Sequence, residues 1–442
     1  MEINIKIMSI AYMFIAVTFF GMLLDFRRTI AVLAPLHLIL VLIPFQKLPV
    51  SVFEMVALMA LCFYLIKRPF SQWWYLVKNP FNIGIVLTLI SIVGTNFFIE
   101  PHWPTSTLRF ISAFIYPMIL WNCIDEKAIY RLTVMTTVAF ALVMSMYILV
   151  EVVLGTNPFI QTVLANKWVN EDLVIDYHEI RFGFKRCQGF LATPAGSGLF
   201  LGLFGVVLYC VSACLEERKK YTAVLVGFFL FCSILSGTRS VIAATVVATL
   251  IIVRKEFFNT RFFLLKLVLV MVVAAVAGSF FLEIIDSFVN SDKVQGSSAD
   301  MRMEQLFVTL LYWARSPIWG NGNGFVWTFV KEVDADIAGA ESIWFQILLD
   351  QGLVGAVAYL GVCINAMIVV FRKVKIWMLV PLGFLVGKTL SSVLGIELSL
   401  MFVLTIILLK YNEFYGSEED DDDSDEEDEE RLTDENTVED VS

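Results

Sequence analysis

Charged residues are scarce in this sequence of 442 residues. Asp, Glu, Lys and Arg make up 17% of it, whereas hydrophobic residues make up 58% and the mean hydropathy is +0.77. So little charge excludes a soluble globular protein of this length. The apolar residues recur in runs of about 17 to 25 residues, the length at which a helix crosses a bilayer. The sequence therefore predicts an all-α, polytopic helical membrane protein.

Signatures of nucleotide, nicotinamide and metal chemistry are missing. The sequence contains no Walker loop, dinucleotide fingerprint or nucleophile elbow. Its three histidines, His37, His102 and His178, have neither metal-binding nor catalytic spacing. The seven cysteines lie mostly inside apolar runs, which favours small core residues over a disulfide framework or a zinc site. We therefore expect no metal, no cofactor and no nucleic-acid partner.

The formal net charge of -10 comes from the C-terminal end of the chain. Residues 418–442 hold 16 acidic residues and one arginine; without them, 31 Lys and Arg face 26 Asp and Glu. An acidic block of this kind buries too little apolar surface to fold. We therefore divide the chain into a membrane domain, residues 1–415, and a disordered acidic tail, residues 416–442.

The apolar runs predict about 12 to 13 transmembrane helices. We place them near residues 7–24, 29–45, 51–66, 81–99, 107–123, 131–154, 189–211, 221–236, 239–253, 263–282, 342–370, 376–392 and 396–410. Short loops rich in Lys and Arg face the cytoplasm. The acidic C-terminus shares that side, and two long loops, residues 155–188 and 283–341, lie outside. The side of the N-terminus is left open, because a short or re-entrant first pair would reverse it.

Basic residues on the external side depart from the usual charge distribution of a membrane protein. They are Arg181, Lys185, Arg186, Arg239 and Arg302, all close to predicted helix ends. Guanidinium groups bind phosphate bidentately and keep their charge, so several of them could hold a diphosphate and stabilise it as a leaving group. For any single arginine, snorkelling to lipid phosphates is an equally good interpretation.

Glu341 falls in the first turn of a predicted span, where the helix dipole favours the ionised form. An ionised carboxylate could accept a proton from a hydroxyl group. The alternative is a simple partner of the helix dipole. Asp334 and Asp336 resemble an acidic pair that holds a metal, although an acidic linker such as this one favours solvated side chains.

Four motifs follow one another along the chain: RCQGFLATP at 186–194, LSGTRS at 235–240, SPIWGNG at 316–322 with Arg302 ahead of it, and ESIWFQILLDQGLVG at 341–355. Their order and spacing around one large external loop resemble the bacterial O-antigen ligase and polymerase superfamily. The resemblance covers about residues 180 to 410.

This resemblance implies a fold similar to C-type glycosyltransferases and a lipid-linked oligosaccharide transferase of the bacterial inner membrane. It implies a metal-independent, inverting enzyme. Arg186, Arg239 and Arg302 would correspond to external arginines that engage undecaprenyl diphosphate, with Arg181 and Lys185 as neighbours. Where ligases usually carry a histidine this sequence has Glu341, which favours a polymerase.

The functional hypothesis is therefore polymerisation of undecaprenyl-diphosphate-linked repeat units at the outer face of the membrane, for O-antigen, capsule or exopolysaccharide. Glu341, Arg239 and Arg302 are the predicted catalytic residues. The expected partners are the lipid-linked glycans, the bilayer, a flippase and a chain-length regulator. One alternative is an O-antigen ligase acting on the lipid A core. Another is a transporter or flippase, for which the candidate intramembrane residues are Glu54, Glu151, Lys388 and Glu397.

Overall fold

The computed structural model describes residues 2–40, 43, 51–99, 103–165, 178–181, 184–257, 299–326, 329, 342–390 and 398–416. The helices are α1 (Glu2–Leu24), α2 (Phe26–Leu33), α3 (His37–Leu40), α4 (Val52–Lys67), α5 (Phe70–Trp73), α6 (Asn82–Phe98), α7 (Trp103–Phe110), α8 (Tyr116–Cys123), α9 (Lys127–Leu154), α10 (Pro158–Ala165), α11 (Pro194–Cys210), α12 (Lys219–Ile234), α13 (Arg239–Phe257), α14 (Ala299–Trp313), α15 (Ile343–Lys373), α16 (Leu379–Thr389) and α17 (Leu398–Gly416).

Shorter elements join some of these helices. A π-helical turn at Ile111–Ile115 connects α7 to α8, and 3-10 turns lie at Trp74–Leu76, Ser212–Arg218 and Lys375–Met378. The described residues contain one two-stranded antiparallel hairpin, β1 (Ile180–Arg181) and β2 (Phe184–Lys185). The predicted all-α architecture is confirmed.

Three described helices are long and apolar enough to cross a bilayer, α9, α15 and α17. Shorter apolar helices lie at Ala11–Leu24, Asn82–Phe98, Pro194–Cys210 and Tyr221–Ile234. The chain is a multi-pass membrane protein, as predicted. The span near 263–282 lies outside the described residues, so the count of 12 to 13 spans stays a prediction.

Helix α11 forms the centre of the described bundle. Nearly every residue from Pro194 to Cys210 is buried, as expected for a helix that is hydrophobic on all sides. Small residues let its neighbours approach closely: a methyl group on Gly198 would lie 2.7 Å from Cβ of Ser236. The hydroxyl of Ser233 on α12 donates to the carbonyl of Gly198, at 2.7 Å. Helices α11, α12 and α13 therefore pack as one unit.

Helix α15 is broken at Gly352, which corrects the single span predicted over residues 342–370. Gly352 has φ 65° and ψ -158°, a conformation essentially restricted to glycine. Beyond the break the chain turns back: a methyl group on Gly355 would lie 3.2 Å from Cγ2 of Ile347. We call residues 343–351 the arm and residues 353–373 the span. At 1.5 Å per residue, the span alone can cross a hydrocarbon core of about 30 Å.

Candidate active site

The β-hairpin brings two of the predicted arginines together on one carboxylate. Oε2 of Glu179 lies 3.0 Å from Nη2 of Arg181 and 2.9 Å from Nη1 of Arg186. The carbonyl of Glu179 also accepts the backbone N–H of Arg186, at 2.9 Å. The two arginine side chains are only 10% and 11% exposed, so their orientation is fixed by packing as well as by charge.

The turn between α12 and α13 packs directly against these arginines. Gly237, with φ 61°, lets the turn come so close that a methyl group there would lie 3.0 Å from Cγ of Arg186 and 3.4 Å from Cβ of Arg181. The next residue, Thr238, accepts a hydrogen bond from Nη2 of Arg186 at 3.4 Å. Arg239 follows as the first residue of α13. The structure therefore brings Arg181 and Arg186 against the turn that leads into Arg239.

Lys185 is buried and forms an ion pair with Glu151, in the last turn of α9. Its Nζ lies 3.2 Å from Oε1 of Glu151, and the two side chains are 6% and 0% exposed. The same carboxylate accepts the backbone N–H groups of Gln188 and Gly189, at 3.1 and 2.9 Å. Removing one partner of a buried pair typically costs about 3–5 kcal/mol, because the other charge is left uncompensated. Lys185 thus anchors the hairpin to α9.

Asn157 and Tyr147 also contact the segment that contains Gly189 and Phe190. Nδ2 of Asn157 donates to the carbonyl of Gly189 at 2.8 Å, and its Oδ1 accepts from the hydroxyl of Tyr147 at 3.0 Å. The ring of Tyr147 stacks on Phe190, with centroids 4.3 Å apart. Gly189, with φ 60°, fits against Met144 of α9. Residues 185–190 are therefore fixed by contacts to their backbone and to their side chains.

Cys187 connects this segment to the α12–α13 turn. Its backbone N–H donates to the carbonyl of Leu235 at 3.2 Å. Its side chain is fully buried, and burial, the largest cause, raises the pKa of the Cys187 thiol to about 12. The thiol is therefore a protonated packing group, in agreement with the prediction that this cysteine is a small core residue.

The glycine turn, residues 316–324, packs backbone to backbone against the break in α15. The N–H groups of Leu353 and Val354 donate to the carbonyls of Pro317 and Ile318, at 3.0 and 3.1 Å. In return, the turn donates to the end of the arm, and the N–H of Asn321 reaches the carbonyl of Leu349 at 2.8 Å. Helix ends leave such backbone groups without helical partners. The glycine turn supplies these partners.

Asp350 fixes the glycine turn through its side chain. Its carboxylate accepts the backbone N–H groups of Gly324 and Val326, at 3.1 and 3.2 Å. The next residue, Gln351, donates from Nε2 to Oδ1 of Asn323 at 3.3 Å. Asp350 was not among the residues predicted from the sequence, although one signal was present: a lone acidic residue close to a glycine inside an otherwise apolar run.

The remaining predicted residues are placed as follows. For Arg302 the structure describes only the backbone, within α14. Glu341, Asp334, Asp336 and Glu397 lie outside the described residues, as does the acidic tail beyond residue 416. Within the described ranges, no group of three His, Cys, Asp or Glu side chains could hold a metal ion.

Two of the residues considered for transport, Glu54 and Glu151, make structural contacts. Glu54 completes a capping box with Ser51 at the start of α4. Glu151 pairs with Lys185, as described above. Lys388 is buried in the last turn of α16.

The structure is that of an integral membrane protein with a polar site at its helix ends. This site contains a cluster of arginines and a glycine turn that Asp350 holds in place. Residues 223–360 match the family model described as O-antigen ligase. This match confirms the resemblance that the motifs of the sequence indicated. The match implies a glycosyl-transfer enzyme of ligase or polymerase type that works with lipid-linked glycans in a bilayer. A search of curated proteins found no match to the chain.

The matched segment covers most of the site but not all of it. Gly237, Arg239, Arg302, Glu341 and Gly352 fall inside it. The hairpin arginines and the buried pair of Lys185 with Glu151 precede it. Only the structure joins these earlier residues to the matched ones, through Gly237, Thr238 and Leu235.

Proposed function

We propose that this protein polymerises undecaprenyl-diphosphate-linked oligosaccharide repeat units at the outer face of the bacterial inner membrane, with its C-terminal tail, residues 416–442, in the cytoplasm. The observation that carries the proposal is the convergence of Arg181, Arg186 and the start of α13 around Gly237. Guanidinium groups close together at helix ends can bind a diphosphate. The family match supports a lipid-linked glycan as the substrate that carries this diphosphate.

The arginines stabilise the departing diphosphate. As the bond between the anomeric carbon and the diphosphate oxygen breaks, negative charge develops on that oxygen. Arg186, Arg239 and Arg302 take up this charge, with Arg181 beside them, whereas Lys185 is paired with Glu151 and anchors the segment. Preorganised donors of this kind are typically worth about a hundredfold each in rate. In this proposal the guanidinium groups of these arginines supply the stabilisation without a metal ion.

Glu341 acts as the general base. It directly precedes Ser342, whose Oγ caps the first turn of the arm by accepting the N–H of Trp344 at 3.4 Å. The carboxylate takes the proton from a hydroxyl of the acceptor repeat unit while that oxygen attacks the anomeric carbon. Attack from the face opposite the diphosphate is a single displacement and inverts the anomeric configuration. The chain then grows by one repeat unit, and a flippase and a chain-length regulator are the expected partners.

An O-antigen ligase is the second candidate, and the description of the matched family model favours it. A ligase would transfer the same donor to a sugar of the lipid A core. Glu341 in place of the histidine that ligases usually carry favours the polymerase. A transporter or flippase is the alternative of another class, and it would require a transmembrane gradient or a nucleotide.

Reconstitution tests the proposal directly. The full-length protein is purified, placed in liposomes and given lipid-linked repeat units extracted from the producing strain, without nucleotide or gradient. We expect a ladder of lipid-linked chains that differ by one repeat unit. Liposomes that move the glycan across the bilayer without lengthening it would overturn the assignment. In cells, loss of a polymerase leaves single repeat units on the lipid A core, whereas loss of a ligase leaves none.

A further inference from the structure

Glu151 occupies an unfavourable place for a carboxylate. It lies in the last turn of α9, where the helix dipole disfavours negative charge. Its side chain is completely buried, which also disfavours the charged form. A charged group persists in such a place only when several hydrogen-bond donors compensate it. The identity of those donors therefore indicates what this residue does.

All three donors that the structure shows for this carboxylate flank one arginine of the proposed site. Lys185 directly precedes Arg186 in the chain, and its Nζ lies 3.2 Å from Oε1 of Glu151. The N–H groups of Gln188 and Gly189 lie two and three residues after Arg186, at 3.1 and 2.9 Å from Oε2. Between them, the N–H of Cys187 is bonded to the carbonyl of Leu235. The backbone on both sides of Arg186 is thus fixed.

We propose that Glu151 is a positioning residue for the diphosphate site. It holds the chain on either side of Arg186 so that the guanidinium group is presented to Thr238 and to the start of α13. Glu151 does not itself touch the substrate. The inference rests on the proposed function, because Arg186 is there the group that binds the diphosphate.

The same contacts argue against a role for Glu151 in a transport pathway. A residue that relays protons or ions must exchange its partners as the pathway opens. This carboxylate is instead occupied by an ammonium group and two backbone N–H groups of one segment. Those two N–H groups cannot move away from the carboxylate unless Gly189 is displaced, and Gly189 is also in contact with Asn157 and Met144.

Two matched double variants isolate the positioning effect, Glu151→Gln/Lys185→Met and Glu151→Leu/Lys185→Met. Both remove the buried charges, so neither leaves an uncompensated ion in the core. Only the glutamine keeps an oxygen that accepts the N–H groups of Gln188 and Gly189. The full-length proteins are purified in detergent, and the affinity of inorganic diphosphate is measured from the rise in melting temperature that it causes.

The glutamine variant is expected to bind diphosphate about tenfold or more tightly than the leucine variant, because a displacement of about 1 Å already weakens a preorganised site strongly. The control is Glu413→Gln, which removes the exposed partner of the buried Lys410 at the end of α17, where the two atoms lie 2.9 Å apart. This variant should leave the affinity for diphosphate unchanged. Equal affinities in two double variants that both fold would overturn the inference.

A double-mutant cycle separates positioning from general stability. If Glu151 acts through Arg186, Glu151→Gln should lower polymerisation in the otherwise unchanged protein but have little further effect once Arg186→Lys has been introduced. Fully additive losses would overturn the inference. The proposed function fails on a different result, namely normal polymerisation by Arg186→Ala and Arg239→Ala, whatever the two double variants show.

Discussion

Trp344 and Tyr359 lie edge to face with ring centroids 5.6 Å apart, although they belong to one helical stretch of the chain. A continuous helix would separate them by about 22 Å at its rise of 1.5 Å per residue. The contact exists because Gly352 folds the arm back along the span. Nε1 of Trp344 also donates to Oγ1 of Thr389, at 3.0 Å. The arm therefore packs between the span and the end of α16.

Gly352→Ala should unfold this hairpin. Alanine rarely adopts φ 65° and ψ -158°, and its methyl group would lie 2.5 Å from the nitrogen of Gly320 and the oxygen of Ile318. We expect a loss of about 3 kcal/mol in the free energy of unfolding, measured by denaturant titration of the purified protein. Gly227→Ala, in α12 with open space around it, is the control and should be neutral or slightly stabilising. Equal stability of both variants would contradict the described packing.

Asp350→Ala should release the glycine turn from the arm. The N–H groups of Gly324 and Val326 would lose their acceptor, and the buried N–H of Val326 alone would cost about 1–3 kcal/mol when left unsatisfied. Hydrogen exchange measured by mass spectrometry should show faster exchange at these two amides than in the unchanged protein. Asp125→Ala breaks a half-exposed pair with Arg27 and serves as the control, with an expected cost below about 1 kcal/mol. Unchanged exchange at Gly324 would argue against the clamp.

Cys187 should resist alkylation in the folded protein. Burial raises the pKa of its thiol to about 12, so the reactive thiolate is about a thousandfold rarer at pH 8 than for a thiol with a pKa near 9. Labelling with iodoacetamide and peptide mapping should leave Cys187 unmodified below pH 9, with reactivity rising only toward pH 12. In Glu151→Leu/Lys185→Met, whose segment is released, the same thiol should become reactive. Rapid labelling of the unchanged protein at pH 8 would be inconsistent with this burial.

Arg239→Ala and Glu341→Ala should each abolish long-chain polysaccharide in cells. The first removes a proposed donor to the leaving diphosphate, and the second removes the proposed base. Each change should lower the rate by about a hundredfold or more, while immunoblots show normal amounts of protein in the membrane. Arg254→Ala, near the opposite end of α13 from Arg239, should leave the chain ladder normal. Normal ladders in the first two variants would remove these residues from the mechanism.

Arg302→Lys should also fail to make long chains. Lysine keeps the positive charge but cannot make the paired hydrogen bonds of a guanidinium group. The measurement is the same ladder of chain lengths, compared with Arg315→Lys just beyond the end of the same helix as the control. Full activity of Arg302→Lys would show that this position contributes charge alone.

The sequence predicted the helical membrane fold and the neighbourhood of Arg186 and Arg239, because apolar run length and short motifs are local properties. It could not predict the break at Gly352. Glycine is common in membrane helices, and here the break depends on hydrogen bonds from a turn more than twenty residues away. The pairing of Lys185 with Glu151 was equally invisible, since each was interpreted alone, one as a ligand for phosphate and the other as an intramembrane acid.

The contacts described around Arg181 and Arg186 all come from residues between Met144 and Thr238. The arm and its glycine turn, by contrast, depend on α14, α15 and α16. During synthesis the basic half can therefore close once α13 has entered the membrane, while the ribosome is still making the other half. Under the proposed function, two of the three diphosphate-binding arginines would then be in place before Arg302 and Glu341 are made, so an unfinished chain would be unable to react.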